Sequence, residues 1–258
     1  HLAQFANQPV MLAFPAGLEF VVAFLGCLQA GAIAVPVPLP GRHQGLDRWQ
    51  HIVEDAKPPA ILTTAEHLPR VQSLTAAMAR QLDYSIACLA PQPSDIELPS
   101  PAGVPLSINA DNIALLQYTS GSTRQARGVM ISHRNLMHNL GIIQEQFGHS
   151  SHSHGVIWLP PHHDMGLIGG VLQPIYAGFP VCLMSPVDFL QKPLRWLQAI
   201  SRYRATTSGG PNFAYELVMR KATPEKLTGL DLSSWEEAFT GAEPIRASTL
   251  DRFAEMFA

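Results

Sequence analysis

Residues 118–129 read YTSGSTRQARGV, and they are the part of the chain best suited to chemistry. An apolar strand-like run ends at Tyr118. Thr119, Ser120, Gly121, Ser122 and Thr123 follow, then Arg124, Arg127 and Gly128. Glycine lets a backbone approach a ligand closely. Consecutive N–H groups and hydroxyls can wrap phosphate oxygens, and the guanidinium of Arg127 can neutralise their charge with a planar fork. A polyphosphate clamp is one reading; an ordinary polar hairpin between two strands is the other. The segment is not a Walker loop, because Gly121 and Gly128 are seven apart with no following Lys-Ser/Thr pair. Nor is it a G-x-S-x-G nucleophile elbow.

A second chemical segment is WLPPHHDMGLIGG, residues 158–170. His162, His163 and Asp164 invite a catalytic reading. The HHxxxDG pattern of condensation chemistry fails, because position 167 is Leu. Zinc from His149, His152, His154 and the His pair lacks a carboxylate or cysteine at ligand spacing. Asp164 is expected to cap the helix that follows. Gly166, Gly169 and Gly170 lie among apolar residues, where tight helix packing is the simple explanation.

These segments need a frame that can hold them. Helix-like and strand-like runs alternate: helices are expected over 17–30, 46–56, 65–82, 133–147, 193–202, 214–221 and from 245 onward. Strands are expected over 33–37, 60–63, 84–89, 113–118, 129–132, 156–159, 181–184 and 237–239. Leu46, Trp49, Ile52 and Val53 recur at helical spacing, and Ser132 is a candidate N-cap. Such alternation predicts an α/β fold of two βαβ-type subdomains, with mainly parallel sheets covered by helices. A proline-rich connector, 91–110, divides a first segment, 1–90, from a second, 111–258.

Composition sets further bounds. The 258 residues are 47% hydrophobic and only 14% charged, with a formal net charge of -3; about 25% charged is usual. That argues for a buried, sheet-rich interior and against a nucleic-acid partner. Cys27, Cys88 and Cys182 are too few and too widely spaced for a disulfide framework, and each lies in an apolar run that suggests burial. A reducing cytoplasm fits. Residues 16–35 approach the length of a membrane span, but Glu19, Gln29 and Gly31 interrupt them, and a buried helix and strand are expected instead. The chain opens on His1 and stops inside a helix-like run, so a fragment at both ends is expected.

The 118–128 segment resembles the phosphate loop of the adenylate-forming superfamily, which reads roughly [ST]-S-G-[ST]-T-G-x-P-K-G. Arg124 and Arg127 resemble the fatty acyl-AMP ligase branch, whose loop reads close to YTSGSTRxPRGV; Ala126 departs from both. Residues 25–37 resemble an early helix–strand motif of the superfamily, and 158–170, 208–215 and 239–244 resemble further motifs of the branch, in the same order; the superfamily's small C-terminal domain would then lie beyond residue 258. The resemblance implies ATP-dependent formation of acyl-AMP and pyrophosphate from a fatty acid, with magnesium bridging the phosphates. It implies acyl transfer to an acyl carrier protein or a polyketide or peptide synthetase module. By resemblance, Thr119, Ser120, Gly121, Ser122, Thr123, Arg124, Arg127 and Gly128 hold phosphates. His163 lies near the acyl carboxylate and α-phosphate, and Gly241, Ala242, Glu243 and Pro244 lie against adenine. Met165, Gly166, Ile168, Gly169, Gly209, Gly210, Pro211 and Phe213 border the acyl tunnel. An acyl-CoA synthetase, an amino-acid adenylation domain and a non-catalytic scaffold are the rival readings.

Overall fold

The computed structural model describes residues 2–41, 46–78, 82–91, 108–119 and 127–257. It forms two compact units, His1–His138 and Asn139–Ala258. The break falls inside a helix, not at the proline-rich connector expected from the sequence.

The first unit is built on six strands: β1 (Pro9–Ala13), β2 (Ile33–Val37), β3 (Ala60–Thr63), β4 (Ala87–Leu89), β5 (Ile113–Tyr118) and β6 (Gly128–Ser132), in the order β4-β3-β1-β2-β5-β6. All neighbours are parallel except β5 and β6. Pairing of Ala34 with Leu115 draws β5 into this sheet, so residues expected to open a second segment complete the first sheet. β1 lies inside the sheet, and four of its five residues are buried. Its run of Val, Met, Leu and Ala has no polar alternation because both faces are covered.

Helices α1 (Leu18–Gln29), α2 (Leu46–Ala56) and α3 (Leu68–Met78) connect the first four strands. α2 turns Trp49, Ile52 and Val53 into a core with Met11, Val35, Ile61 and Tyr118. The Trp49 indole donates to Pro38 O at 2.9 Å, which ties the helix to the chain leaving β2. α4 (His133–Gln146) begins at Ser132, whose Oγ accepts from Asn135 N at 3.2 Å. Asn135 Oδ1 accepts in return from Ser132 N at 3.0 Å, a reciprocal cap of the capping-box kind.

The second unit carries a parallel sheet, β10-β9-β7-β8, of β7 (Gly155–Ile157), β8 (Val181–Leu183), β9 (Thr207–Gly209) and β10 (Glu237–Phe239). α5 (Gln173–Ala177), α6 (Pro186–Gln191), α7 (Leu194–Tyr203), α8 (Asn212–Lys221), α9 (Pro224–Leu227) and α10 (Ala247–Phe257) surround it. Its core is aromatic: Trp158 stacks on Phe189 at 3.8 Å between centroids, and Trp196 meets Tyr215 edge-on. Trp196 satisfies its indole N–H at Ser208 Oγ, 2.7 Å away.

Cys27 is fully buried, and burial pushes its thiol up to about 12. Cys88 and Cys182 are only partly buried, a departure from the expectation for all three: each sits on a short outer strand covered on fewer sides. No helix among the described residues is long and apolar enough to cross a membrane.

Candidate active site

One candidate element is the β5–β6 hairpin of the first unit. Its antiparallel register closes on the pair Tyr118 and Gly128. A Cβ on Gly128 would stand 2.9 Å from Cζ of Tyr118, so only glycine lets the ring lie on the returning strand. The chain leaves this pair through Thr119 and returns through Arg127, and both are exposed. Ser120, Gly121, Ser122, Thr123 and Arg124 lie outside the described residues.

A separate candidate element lies within the second unit. The chain leaves β7 through Trp158, turns with His163 N donating to Pro160 O at 3.1 Å, and enters a π-helix, Met165–Leu172. His163 and Asp164 are exposed at its start, and the rings of His162 and His163 are 4.5 Å apart. Asp164 Oδ1 accepts from Met165 N at 2.8 Å, so the carboxylate caps this helix. π-Helices are rare and are frequent at functional sites.

The three glycines of the π-helix have different surroundings. A Cβ on Gly166 would stand 2.1 Å from Pro160 O, and one on Gly170 would stand 2.6 Å from Ile157 Cγ2. A Cβ on Gly169 would meet nothing within 4 Å. Gly169 faces a cavity of about 380 Å³. Met165, Ile168, Gly241 and Ala242 also line it, together with Ile143, Phe147, His149, Ile157, Phe179 and Phe239. The wall is thus mainly aliphatic and aromatic. Gly166, Gly209, Gly210, Pro211 and Phe213 are not among the lining residues. Gly209 and Gly210 admit close packing instead, since a Cβ would stand 2.1 Å from Phe239 O and 2.5 Å from Trp158 Cζ2 respectively.

The segment after β10 is held from α8. Phe213 N donates to Glu243 Oε1 at 2.6 Å, and Arg246 N donates to Asn212 Oδ1 at 3.0 Å. Ala242 has φ 67°, in the left-handed region that costs an alanine about 1 kcal/mol or more. Pro244 is exposed.

Sequence reasoning missed most of the cavity wall. Ile143 and Phe147 are four apart at the end of α4, a helical spacing that could have signalled a shared face. His149 is 9% exposed, its ring between Phe147 and Phe179 at 5.4 and 5.0 Å. Its Nε2 is 3.2 Å from Thr207 Oγ1, and its Nδ1 is buried without a partner. Burial lowers the imidazole pKa below its ordinary value and favours the neutral ring. Among the described residues, no group of three or more His, Cys, Asp and Glu side chains could hold a metal ion.

The model of the AMP-binding enzyme family matches residues 3–258. The chain belongs to that family. Among similar AMP-binding enzymes is a medium-chain-fatty-acid–[acyl-carrier-protein] ligase, JamA, of Moorena producens, 41% identical over 257 residues, 97% of this chain and 43% of that protein. Another is the long-chain-fatty-acid–AMP ligase FadD28 of Mycobacterium tuberculosis, 38% identical over 258 residues, 96% of this chain and 43% of that one. A solved structure of a fatty acyl-adenylate ligase from L. pneumophila, in complex with acyl adenylate and pyrophosphate, superposes with a TM-score of 0.86 at 44% identity, over 99% of this chain and 44% of that chain. The chain therefore spans less than half the length of these AMP-binding enzymes.

Proposed function

We propose that the full-length protein carrying this chain activates fatty acids as acyl adenylates. The observation that carries the proposal is the cavity of about 380 Å³ behind the π-helix, apolar over most of its wall and open at Gly169. Its size is in the range of small-molecule pockets, and an alkyl chain gains about 0.8 kcal/mol per methylene buried there. The relatives named for fatty-acid ligation and the neighbour holding an acyl adenylate support the same chemistry.

In the proposed reaction a carboxylate oxygen attacks the α-phosphorus of ATP, forming a P–O bond as the bond to the β-phosphate oxygen breaks and pyrophosphate leaves. The protein's task is positioning and charge neutralisation. Thr119, Ser120, Gly121, Ser122, Thr123, Arg124 and Gly128 hold the leaving phosphates, and Arg127 balances their charge. Magnesium enters on the phosphate oxygens of its substrate ATP. His163 lies by the carboxylate and α-phosphate. Gly241, Ala242, Glu243 and Pro244 supply backbone beside adenine, and Met165, Ile168 and Gly169 line the alkyl chain. The acyl group passes on to an acyl carrier protein or a polyketide or peptide synthetase module.

The test gives the full-length protein ATP, magnesium and a labelled medium- or long-chain fatty acid, with and without CoA and with a carrier protein. Acyl-AMP that persists with CoA and disappears onto the carrier is expected. Acyl-CoA as the product would make the protein a CoA ligase, and absence of ATP binding would make it a scaffold. The 258 residues alone are expected to form no acyl-AMP; ATP-dependent product from them would overturn that expectation.

A further inference from the structure

The hairpin that delivers the proposed phosphate loop is held from outside by one helix. Arg48 and Asp55 are seven residues apart on α2, two turns along one face. Arg48 Nη2 donates to Tyr118 O at 3.1 Å, and the Tyr118 hydroxyl donates to Asp55 Oδ2 at 2.5 Å. The Tyr118 ring is itself only 2% exposed and is packed on Gly128. Burial, with the Asp55 carboxylate beside it, pushes the Tyr118 phenol pKa up and keeps the hydroxyl a donor. One helix thus grips both the last residue of the outgoing strand and, through its ring, the first residue of the returning one.

The Arg48 contact has a specific consequence. A trans peptide is planar, with its C=O and N–H pointing in opposite directions. Fixing the Tyr118 carbonyl therefore fixes the direction of the Thr119 N–H, the first donor of the loop. Arg48 forms no ion pair among the described residues, and its Nε is buried without a partner. A half-buried guanidinium spent on a neutral carbonyl keeps its full positive charge at the root of the loop, where it favours an anion.

We propose that Arg48 and Asp55 of α2, acting through Tyr118, are positioning residues for the polyphosphate of ATP: Asp55 holds the Tyr118 ring on Gly128, and Arg48 sets the Tyr118–Thr119 peptide. The proposal rests on the adenylating function proposed above. It is tested in the full-length protein with R48M, R48K and Y118F, by two readouts. In steady-state kinetics, R48M is expected to raise KM for ATP about tenfold or more, as loss of a charge-assisted hydrogen bond does, while KM for the fatty acid stays unchanged. R48K, which keeps charge without the planar fork, should recover part of the loss. Y118F keeps the ring on Gly128 and loses only the Asp55 bond, and about a threefold rise in KM for ATP is expected from it. In the second readout, trypsin cleavage after Arg127 of the substrate-free protein, mapped by mass spectrometry, should be faster in R48M than in wild type. Unchanged KM for ATP with unchanged cleavage would overturn the proposal, as would an equal rise in both KM values. If R48M does not fold, Y118F carries both readouts. If the wild-type protein neither binds nor consumes ATP, the proposed function fails, and the cleavage comparison still decides whether α2 fixes the loop.

Discussion

The π-helix has two faces that the same residue type treats in opposite ways. On one, Gly166 and Gly170 are absent side chains into which neighbours have moved: the Pro160 carbonyl on the first, the Ile157 side chain on the second. On the other, Gly169 is an absent side chain that nothing has filled, and the cavity lies there. On the packed face glycine lets a backbone oxygen or a side chain come close to the helix. On the open face it leaves volume, and volume beside an apolar wall is what a ligand can use.

Substitution at Gly166 should have the largest effect. A methyl group there would press on a backbone oxygen at 2.1 Å, and backbone gives way less readily than a side chain. Gly166→Ala is expected to cost about 3 kcal/mol or more, at the upper end of overpacking, and to lower the denaturation midpoint sharply or prevent folding. A variant as stable as wild type would mean that the turn at Pro160 is free to shift and that the two faces do not differ as described.

Gly169→Leu should do the reverse: little change in stability and a large change in substrate choice. The new side chain projects into the cavity. If it displaces about three methylenes of a bound chain, roughly 2.4 kcal/mol of burial is lost, about a 50-fold fall in kcat/KM for long chains relative to short ones. The measurement is kcat/KM for a fatty-acid length series in the full-length protein. A uniform fall across all lengths would place the alkyl chain elsewhere.

Gly170→Ala sharpens the contrast within the packed face. Its obstacle is Cγ2 of Ile157, a side-chain methyl rather than a backbone atom. About 1–2 kcal/mol is expected, and part of it should be recovered when Gly170→Ala is made in an Ile157→Ala background, which removes Cγ2. Absence of recovery would show that the strain is taken up by the backbone of β7.

The contrast also marks what the sequence reveals. Ile33–Val37, Leu46–Ala56, Ala60–Thr63, Ile113–Tyr118 and Glu237–Phe239 have the same bounds in structure as in the sequence reading, because local periodicity and the flanking breakers agree there. β1 lies inside the first sheet but is not among the expected strands: like Ile33–Val37 it is buried without alternation, and no preceding helix-like run sets it in a βαβ pattern. β9 is only Thr207, Ser208 and Gly209, without a β-branched or aromatic cluster to mark it beyond Thr207. The π-helix wraps at a period that 3.6-residue patterns do not test. Met165, Ile168 and Gly169 were marked by their motif, but nothing local separates Gly169 from Gly166. That difference is made by Pro160 and by the distant Phe179 and Phe239, brought together only by the sheet.

The smallest expected effect concerns acid, and it extends the comparison to the cavity wall. His149 is buried between two phenylalanines, so its folded pKa lies below the ordinary value of about 6.5. Above that value the ring is neutral in both folded and unfolded chains, and it contributes nothing to pH dependence. As pH falls through about 6.5 the unfolded chain takes up the proton first, so the folded state loses stability until its own, lower pKa is reached. His133, whose pKa burial also lowers, adds a decline of the same sign from the first unit. Denaturation midpoints of the full-length protein between pH 7.5 and 5 should therefore fall less steeply in His149→Leu than in wild type, with His133 accounting for part of what remains. Equal slopes would show that the His149 ring titrates as it does in the unfolded chain, and that this wall of the cavity is wetter than its burial indicates.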